Sequence, residues 1–316
     1  MHKNKSIFFL GGAGFIGSNL IRGIIHRECD DVDIYVLEPT FSNVSRLEGL
    51  DVQIFRGELS DIDLIRTIIE TKKVEIVVHL VATLIPGSTF DDYKREYQNV
   101  IFPTIELMQI CALHQVKFVY FSSGGTVYGN RTDLKPFVET DPMAPISYYG
   151  WSKQMMENSI HYVHRTTGLK YLILRPSNPY GHGQNIHARQ GLIAVAMGKI
   201  LAAEPIEVWG NGSNIRDYIY IDDLAEAVVQ LLEKDVYNTT VNIGSGEGAS
   251  INDIIHILRD VVDEEVKVDY KPARSVDVSH MILDTTRLKS YINMEFTLLK
   301  DGIELFYNDI KEKLKK

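Results

Sequence analysis

The chain has 316 residues, 45% hydrophobic and 24% charged, a globular composition long enough for one large or two closely joined domains. Its 42 acidic and 33 basic residues give a net charge of −9, and no basic stripe is available to bind nucleic acid. Two cysteines exclude a disulfide framework, and we find neither a signal peptide nor a membrane-length apolar run. The histidines lack a second ligand cluster, so the expectation is a reduced, cytoplasmic protein without metal.

The first half of the chain alternates short β-branched apolar runs with longer segments of helical periodicity. This alternation is typical of βαβ units around a parallel sheet. Strands are predicted at residues 6–10, 33–37, 52–56, 75–80, 117–122, 170–175 and 240–243. Helices are predicted between them at residues 14–27, 61–71, 92–114 and 148–167. The apolar stripe of helix 92–114 predicts cover for the sheet, and also contact with a second subunit.

Proline and glycine punctuate the chain after Arg175, and further helices are predicted at residues 191–201, 222–234 and 251–263. Asp222 and Asp223 are interpreted as the N-terminal cap of a helix rather than as a metal pair. The predicted fold class is α/β, a Rossmann-type doubly wound parallel sheet with a smaller, partly discontinuous C-terminal region that binds substrate. Residues 1–177, with 215–246, are assigned to the dinucleotide-binding domain, and residues 178–214 and 247–316 to the substrate region.

A glycine-rich turn joins the first predicted strand to the first helix; it consists of Gly11, Gly12, Ala13, Gly14, Phe15, Ile16 and Gly17. Glycines there let the backbone approach a pyrophosphate, and the helix start offers free N–H groups to it. Glu38 ends the second strand, where a carboxylate accepts hydrogen bonds from a ribose diol and repels a 2′-phosphate. The pattern predicts NAD rather than NADP, with a turn that only tightens packing as the alternative. Glu58, after the third strand, is a candidate contact on the adenine side.

Tyr149 and Lys153 lie four residues apart and therefore share one face of the helix predicted at 148–167. A lysine ammonium near a phenol favours the phenolate and lowers the pKa of the phenol toward the working pH, as general acid-base chemistry requires. The alternative is an ordinary solvated pair without a chemical role.

Five motifs occur in the order in which one family carries them. From residue 6 to about 288 the chain resembles the extended short-chain dehydrogenase/reductases, in their branch of NAD-dependent nucleotide-sugar epimerases and dehydratases. The motifs are the glycine loop 11–17, the strand end Phe121-Ser122-Ser123-Gly124-Gly125-Thr126-Val127-Tyr128-Gly129, the pair Tyr149 and Lys153, the segment Arg175-Pro176-Ser177-Asn178-Pro179-Tyr180-Gly181, and the segment Arg216-Asp217-Tyr218-Ile219-Tyr220-Ile221-Asp222-Asp223.

The resemblance implies roles for individual residues. In the family the tyrosine exchanges a proton with the sugar 4-hydroxyl and the lysine holds the nicotinamide ribose, and these roles fall on Tyr149 and Lys153. Further cofactor contacts are implied for Leu59, Leu80, Asn99 and Pro176, and substrate contacts for Thr126, Tyr149, Asn178, Arg216, Tyr218 and Arg274. Arginine forks suit the diphosphate, which favours Arg216 and Arg274. An ion pair with Asp277 is the alternative for Arg274, and an ordinary helix residue is the alternative for Asn99. The resemblance also implies a homodimer through helices 92–114 and 148–167.

The chain departs from the family pattern at Gly124, where members usually carry a serine or threonine whose hydroxyl shares the proton path with the tyrosine. Ser123, Thr126 or a water molecule is left to supply that hydroxyl. Dehydratases carry Asp-Glu immediately after that threonine; the corresponding residues here are Gly125 and Thr126, which disfavours dehydration.

Three functions remain from the sequence alone. The first is a 4-epimerase of a UDP-linked hexose, or of its N-acetyl form, with tightly held NAD. The second is an NAD(P)H-dependent reductase of a 4-keto-6-deoxy nucleotide sugar that uses the same tyrosine and lysine. The third, a non-catalytic dinucleotide-binding protein, is disfavoured because Tyr149, Lys153, Arg216 and Arg274 are all present.

Overall fold

The computed structural model of the protein describes residues 5–28, 32–131, 133–188, 190–272 and 279–315. Its strands are β1 (Lys5–Leu10), β2 (Val32–Glu38), β3 (Gln53–Arg56), β4 (Ile76–His79), β5 (Lys117–Phe121), β6 (Tyr171–Pro176), β7 (Asn178–Tyr180), β8 (Ile206–Trp209), β9 (Ile215–Tyr220), β10 (Thr239–Ile243), β11 (Gly248–Ser250), β12 (Val268–Lys271) and β13 (His280–Met281).

The helices follow the same alternation along the chain. They are α1 (Phe15–Glu28), α2 (Ile62–Lys72), α3 (Phe90–Glu96), α4 (Phe102–Leu113), α5 (Gly124–Val127), α6 (Tyr148–Thr167), α7 (Leu192–Leu201), α8 (Ile221–Glu233), α9 (Ile251–Val261), α10 (Thr286–Tyr291) and α11 (Leu299–Leu314), with a short 3-10 turn at Ser45–Leu47 and a π-helical turn at Tyr97–Ile101. No helix in the described ranges is both long and apolar enough to span a bilayer.

The main sheet has seven parallel strands in the order β10-β6-β5-β4-β1-β2-β3. This order confirms the predicted Rossmann-type sheet. The chain adds β2 and β3 on one side of β1 and then crosses to add β4, β5 and β6 on the other side, so the strand order switches between β1 and β4. In doubly wound sheets the crevice at the carboxyl ends of such strands is the usual place for a ligand.

Two hydrophobic cores cover the two faces of the sheet because successive side chains of a strand point to opposite sides. Ile7 and Phe9 of β1 join the core that includes residues of α1 and α8, whereas Phe8 and Leu10 join the core that includes residues of α2, α4 and α6. A third core combines residues of α7, α9 and α11 with β8 and β9 in the C-terminal region. There β9 pairs with β7, β11 and β13 in a second sheet, and β8 pairs with β12.

Two local predictions were wrong. The single helix expected at 92–114 is two α-helices separated by the π-helical turn at Tyr97–Ile101. Asp222 and Asp223 do not cap a helix: β9 runs directly into α8, which begins at Ile221 without a side-chain cap. Asp223 instead accepts hydrogen bonds from the backbone N–H and the hydroxyl of Thr297, at 2.7 and 2.9 Å. Its carboxylate therefore anchors the segment that leads into α11.

Candidate active site

The glycine-rich turn after β1 has the geometry that a dinucleotide requires. Gly11 adopts φ +80°, a backbone conformation that side chains disfavour, and the Gly14 N–H donates to the Gly11 carbonyl at 3.4 Å. A Cβ on Gly17 would lie 2.7 Å from the Gly12 carbonyl oxygen, so this glycine lets α1 approach the strand. Phe15 and Ile16 begin α1, whose first turn holds no acidic residue that would compete for its free N–H groups. The turn therefore fits a pyrophosphate.

Glu38 lies at the end of β2 and is 5% exposed. Its Oε1 accepts a hydrogen bond from the Ala13 N–H at 2.6 Å, which ties the carboxylate to the glycine turn. Burial raises the pKa of Glu38, while the hydrogen bonds from Ala13 and Ser42 and the charge of Arg56 oppose that rise. The structure thus brings the predicted ribose acid to the predicted phosphate loop.

The remaining cofactor candidates lie on the same edge of the sheet or near it. The Leu80 N–H donates to the Leu10 carbonyl at 3.0 Å, which joins the end of β4 to β1, and Pro176 is buried at the end of β6. Glu58 is exposed in the turn after β3, and Leu59 beside it is buried. Asn99 is exposed on the π-helical turn.

Lys153 is held inside the protein below the first turn of α6. The helix begins at Tyr148, and the Ser147 hydroxyl caps it by accepting from the Gly150 N–H at 3.1 Å. Lys153 is 4% exposed, and its Nζ donates to the Phe121 carbonyl oxygen at 2.8 Å. Burial lowers the pKa of Lys153 to about 8, against the opposing charges of Glu96 and Glu157. The ammonium is thus fixed to the end of β5.

Tyr149 departs from the electrostatic prediction. Lys153 Nζ lies 5.7 Å from the centre of the Tyr149 ring, so the pair is close, as predicted. The pKa of Tyr149 is nevertheless raised rather than lowered: burial raises it, a hydrogen bond with the Ser123 side chain lowers it, and the charge of Glu96 raises it further. The cost of removing the phenolate from water raises the pKa of Tyr149 more than the hydrogen bond with Ser123 lowers it.

The loop after β5 distinguishes the candidate hydroxyl groups. Ser123 makes the hydrogen bond with Tyr149, whereas the Thr126 hydroxyl is buried and has no hydrogen-bond partner in the described part of the chain. A Cβ on Gly124 would lie 2.6 Å from Leu283 Cδ1 and 2.9 Å from the Arg175 carbonyl oxygen. Position 124 therefore has no space for the hydroxyl that the family usually carries there.

A buried polar network beneath this loop was missed by sequence reasoning. The Arg175 guanidinium binds Glu157, with Nη2 2.6 Å from Oε2, and donates from Nη1 to the Tyr128 hydroxyl at 2.7 Å. Ser122 donates to Glu157, and Tyr128 donates to Asn242. The network connects the end of β5, β6, β10 and α6. Arg175, Ser122 and Tyr128 belong to two of the family motifs, but neither motif includes Glu157 or Asn242.

The candidate substrate residues Asn178, Arg216 and Tyr218 line one cavity of about 310 Å³, with Trp209 and Glu207 on its wall. The Asn178 amide donates to the Asp217 carbonyl at 2.8 Å. A Cβ on Gly125 would lie 3.6 Å from Asn178 Oδ1 and 3.9 Å from Ser123 Oγ, so the loop after β5 (residues 122–127, the candidate catalytic loop) contacts the cavity wall at Asn178. Arg274, the other arginine predicted for the diphosphate, lies outside the described residues.

Asp217 fixes the segments around the cavity, which the sequence did not indicate. It is fully buried, and its carboxylate accepts from the backbone N–H groups of Ser245, Gly246 and Leu283 and from the Ser245 hydroxyl. Burial raises the pKa of Asp217 to about 6, and these hydrogen bonds oppose the rise. Because Leu283 is the residue that packs on Gly124, this carboxylate also supports the catalytic loop.

Known proteins similar to this chain include a reductase as well as epimerases. The model of the NAD dependent epimerase/dehydratase family matches residues 7–244. The chain is 30% identical to an Escherichia coli protein named dTDP-4-dehydro-6-deoxyglucose reductase, over 98% of each chain. It is similar to the structure of Thermotoga maritima UDP-glucose 4-epimerase with UDP-glucose, at a TM-score of 0.90 and 29% identity over 98% of this chain and 99% of that one. It is also similar to the Thermus thermophilus UDP-glucose 4-epimerase complex with NAD, at a TM-score of 0.88 and 25% identity over 97% and 99%.

Proposed function

Because the chain belongs to the NAD-dependent epimerase/dehydratase family, we propose that it interconverts the C4 epimers of a UDP-linked hexose or its N-acetyl form. Its cofactor is NAD, and the turn at residues 11–17 together with Glu38 supplies a fitting site. The two solved structures named above support the UDP-hexose substrate, since both are UDP-glucose 4-epimerases and one contains UDP-glucose.

One observation carries the proposal: the loop after β5 lies between the acid-base pair and a cavity whose wall carries Asn178, Arg216 and Tyr218. Ser123 hydrogen-bonds Tyr149 on one side of Gly125, and Asn178 stands on the other side. Asn178, Arg216 and Tyr218 then continue along the cavity wall. An arginine and an amide are suited to phosphate oxygens and sugar hydroxyls.

In the proposed reaction Tyr149 removes the proton of the sugar 4-hydroxyl, and Ser123 relays it between the sugar oxygen and the phenol. When held by the glycine turn and Glu38, NAD would supply a reversible hydride acceptor for C4. Tyr149 gives the proton back after the 4-keto sugar has turned its other face to the cofactor. One proton and one hydride leave and return, so the reaction needs no external oxidant. Lys153, fixed at the Phe121 carbonyl, supplies a positive charge beside the phenol.

The Thr126 hydroxyl has a different proposed role. It is buried without a partner among the described residues, and an unsatisfied buried hydroxyl is costly. A sugar hydroxyl would satisfy it. The loop from Ser122 to Val127 carries no carboxylate, so it lacks the additional acid and base that dehydration needs.

A second candidate is the reductase of a 4-keto-6-deoxy nucleotide sugar, which would use Tyr149 as a proton donor once in each turnover. The observation that favours it is the Escherichia coli relative of that activity, 30% identical over 98% of both chains. The two candidates differ in whether the reduced cofactor is consumed.

The test is a product assay on purified protein. UDP-galactose, UDP-glucose and their N-acetyl forms are each incubated without added cofactor, and the products are identified by NMR. The epimerase proposal expects conversion to the C4 epimer. No conversion of any of the four, together with NAD(P)H oxidation in the presence of a 4-keto-6-deoxy nucleotide sugar, would replace it with the reductase.

We also propose a homodimer through α4 and α6. These helices expose large apolar side chains: Phe102 is 51% exposed, Leu113 72% and Tyr162 58%. Such side chains together mark a surface that is suited to a protein partner. Light scattering should give twice the chain mass, and Leu113→Glu should reduce it; a monomer at micromolar concentration would contradict the proposal.

A further inference from the structure

A buried carboxylate that the mechanism above does not use lies beside the acid-base pair. Glu96 ends α3 and is 3% exposed. Within the described ranges, no lysine or arginine nitrogen lies within 4.0 Å of it. A carboxylate taken out of water without a cation is costly to the fold. Other contacts must therefore offset the cost of burying the Glu96 carboxylate.

Hydrogen bonds provide that compensation and join three segments. Glu96 Oε2 accepts from the Thr83 hydroxyl and, at 3.2 Å, from the Thr83 N–H. Glu96 Oε1 has a longer contact of 3.5 Å with the Ser152 hydroxyl, on the residue directly before Lys153. Thr83 lies in the loop after β4, close to Val81, whose side chain borders Gly11. The carboxylate thus links the catalytic helix to the loop beside the cofactor turn.

The charge of Glu96 also reaches both members of the pair. It raises the pKa of Lys153 and the pKa of Tyr149. Other titratable groups face the same region from every neighbouring element: His79 of β4, Tyr120 of β5, and Glu157 of α6. His79 is fully buried, and burial lowers its pKa to about 3, so it is uncharged at neutral pH. The negative charges in this set come from Glu96 and Glu157, and Glu157 is already paired with Arg175.

We propose that Glu96 is a positioning residue of the acid-base pair, which anchors the Thr83 loop to the catalytic helix and keeps an unpaired negative charge beside Tyr149 and Lys153. The inference rests on the pair's role in the proposed function. Glu96 keeps the buried lysine protonated and delays ionisation of the phenol, so it moves the working range of the pair to higher pH.

The first test needs no substrate. Lysine labelled with 13C at Cε is followed by NMR against pH, and the Lys153 signal is assigned by its loss in Lys153→Arg. Wild-type protein should titrate near pH 8. Glu96→Gln should lower that midpoint by about 1 pH unit, because removing a nearby opposite charge destabilises a buried ammonium by an amount of this order. Glu106→Gln, an exposed control on α4, should leave it unchanged. An unchanged midpoint in Glu96→Gln overturns the proposal.

A second variant separates the charge from the anchoring. Thr83→Val keeps the Glu96 charge and removes one hydrogen bond, so it should lower kcat about tenfold without moving the Lys153 midpoint. A kcat equal to that of wild type would overturn the anchoring role. Glu96→Asp retains the carboxylate, so its Lys153 titration midpoint should lie closer to that of wild type than the midpoint of Glu96→Gln does. If none of the UDP-hexoses is converted, the proposed function fails while the NMR titration still reports on Glu96, so the two outcomes remain distinct.

Discussion

Two glycine-rich turns follow strands at the same edge of the main sheet. They differ in whether protein atoms surround the place where a glycine lacks a side chain. In the turn after β1, a Cβ on Gly14 would meet only the Gly11 carbonyl oxygen, at 3.4 Å. In the turn after β5, a Cβ on Gly124 would lie 2.6 Å from Leu283, and one on Gly129 would lie 2.0 Å from the Ala144 carbonyl oxygen. Gly14 therefore leaves open space at the first turn, whereas the protein closes around Gly124 and Gly129 in the second. A glycine-rich turn is therefore interpreted from its neighbours, not from its glycines.

The largest effect is expected from removing the phenol that the second turn serves. Tyr149→Phe should lower kcat by about 10³-fold, within the range for loss of a general acid-base group, while NAD binding persists. Kinetics and a fluorescence titration with NAD measure the two quantities. Tyr148→Phe, the neighbour without a lysine four residues on, should stay near the wild-type rate. A Tyr149→Phe rate within threefold of wild type would contradict the acid-base role of Tyr149.

Replacing one glycine by alanine in each turn adds a methyl group and tests whether the space beside that glycine is open or filled. Gly124→Ala should lower the free energy of unfolding by about 1–3 kcal/mol because the core beside it is overpacked. Gly14→Ala should change it by less than about 0.5 kcal/mol and instead weaken NAD binding. Urea denaturation and NAD titration measure both variants.

A second substitution, at Leu283, tests whether the destabilisation of Gly124→Ala comes from contact with that side chain. Leu283→Ala should recover part of the stability lost in Gly124→Ala, with a coupling of about 0.5–3 kcal/mol in a double-mutant cycle. Equal unfolding free energies for Gly124→Ala and Gly14→Ala would mean that the two turns do not differ.

A smaller effect distinguishes the two hydroxyl groups of the second turn. Ser123→Ala should lower kcat about tenfold, because it removes the hydrogen bond to Tyr149. Thr126→Val should act mainly on KM, and it should not destabilise the free protein since that hydroxyl has no partner among the described residues. Steady-state kinetics of the two variants would contradict this assignment if their effects were reversed.

The smallest effect is a pH dependence. Burial lowers the pKa of Lys153 to about 8, so the ammonium is half lost at that pH and mostly lost above it. The value of kcat/KM should therefore fall about twofold by pH 8 and further at higher pH. A profile that stays flat to pH 10 would show that Lys153 remains charged in the working enzyme.

Local sequence patterns predicted the strands of the main sheet, the cofactor turn and the acid-base pair. The strands with continuous apolar runs, the glycine turn, Glu38 and the spacing of Tyr149 and Lys153 are features of neighbouring residues, and the structure brings them to one edge. The strands of the C-terminal region, β7, β8, β9, β11, β12 and β13, were not predicted, because their pairing partners are not adjacent strands in the chain and all but β9 have four residues or fewer.

The parts of the site that depend on tertiary contacts could not be predicted. Leu283 packs on Gly124, and no local pattern relates those two positions. The raised pKa of Tyr149 has the same origin, because burial is a property of the folded surroundings. The π-helical turn likewise interrupts a continuous apolar stripe without a proline or glycine inside Tyr97–Ile101 to announce it.

The contact between Leu283 and Gly124 also sets an order for the assembly of the protein during synthesis. Gly124 and the strands on both sides of it leave the ribosome long before Leu283, and Asp217, which holds the Leu283 backbone, comes between them. In a growing chain, therefore, the side of Gly124 that Leu283 covers stays open until Leu283 has been made. The catalytic loop is closed only when the last tenth or so of the chain arrives, so a chain that stops early keeps the elements of a dinucleotide site without a sealed reaction centre.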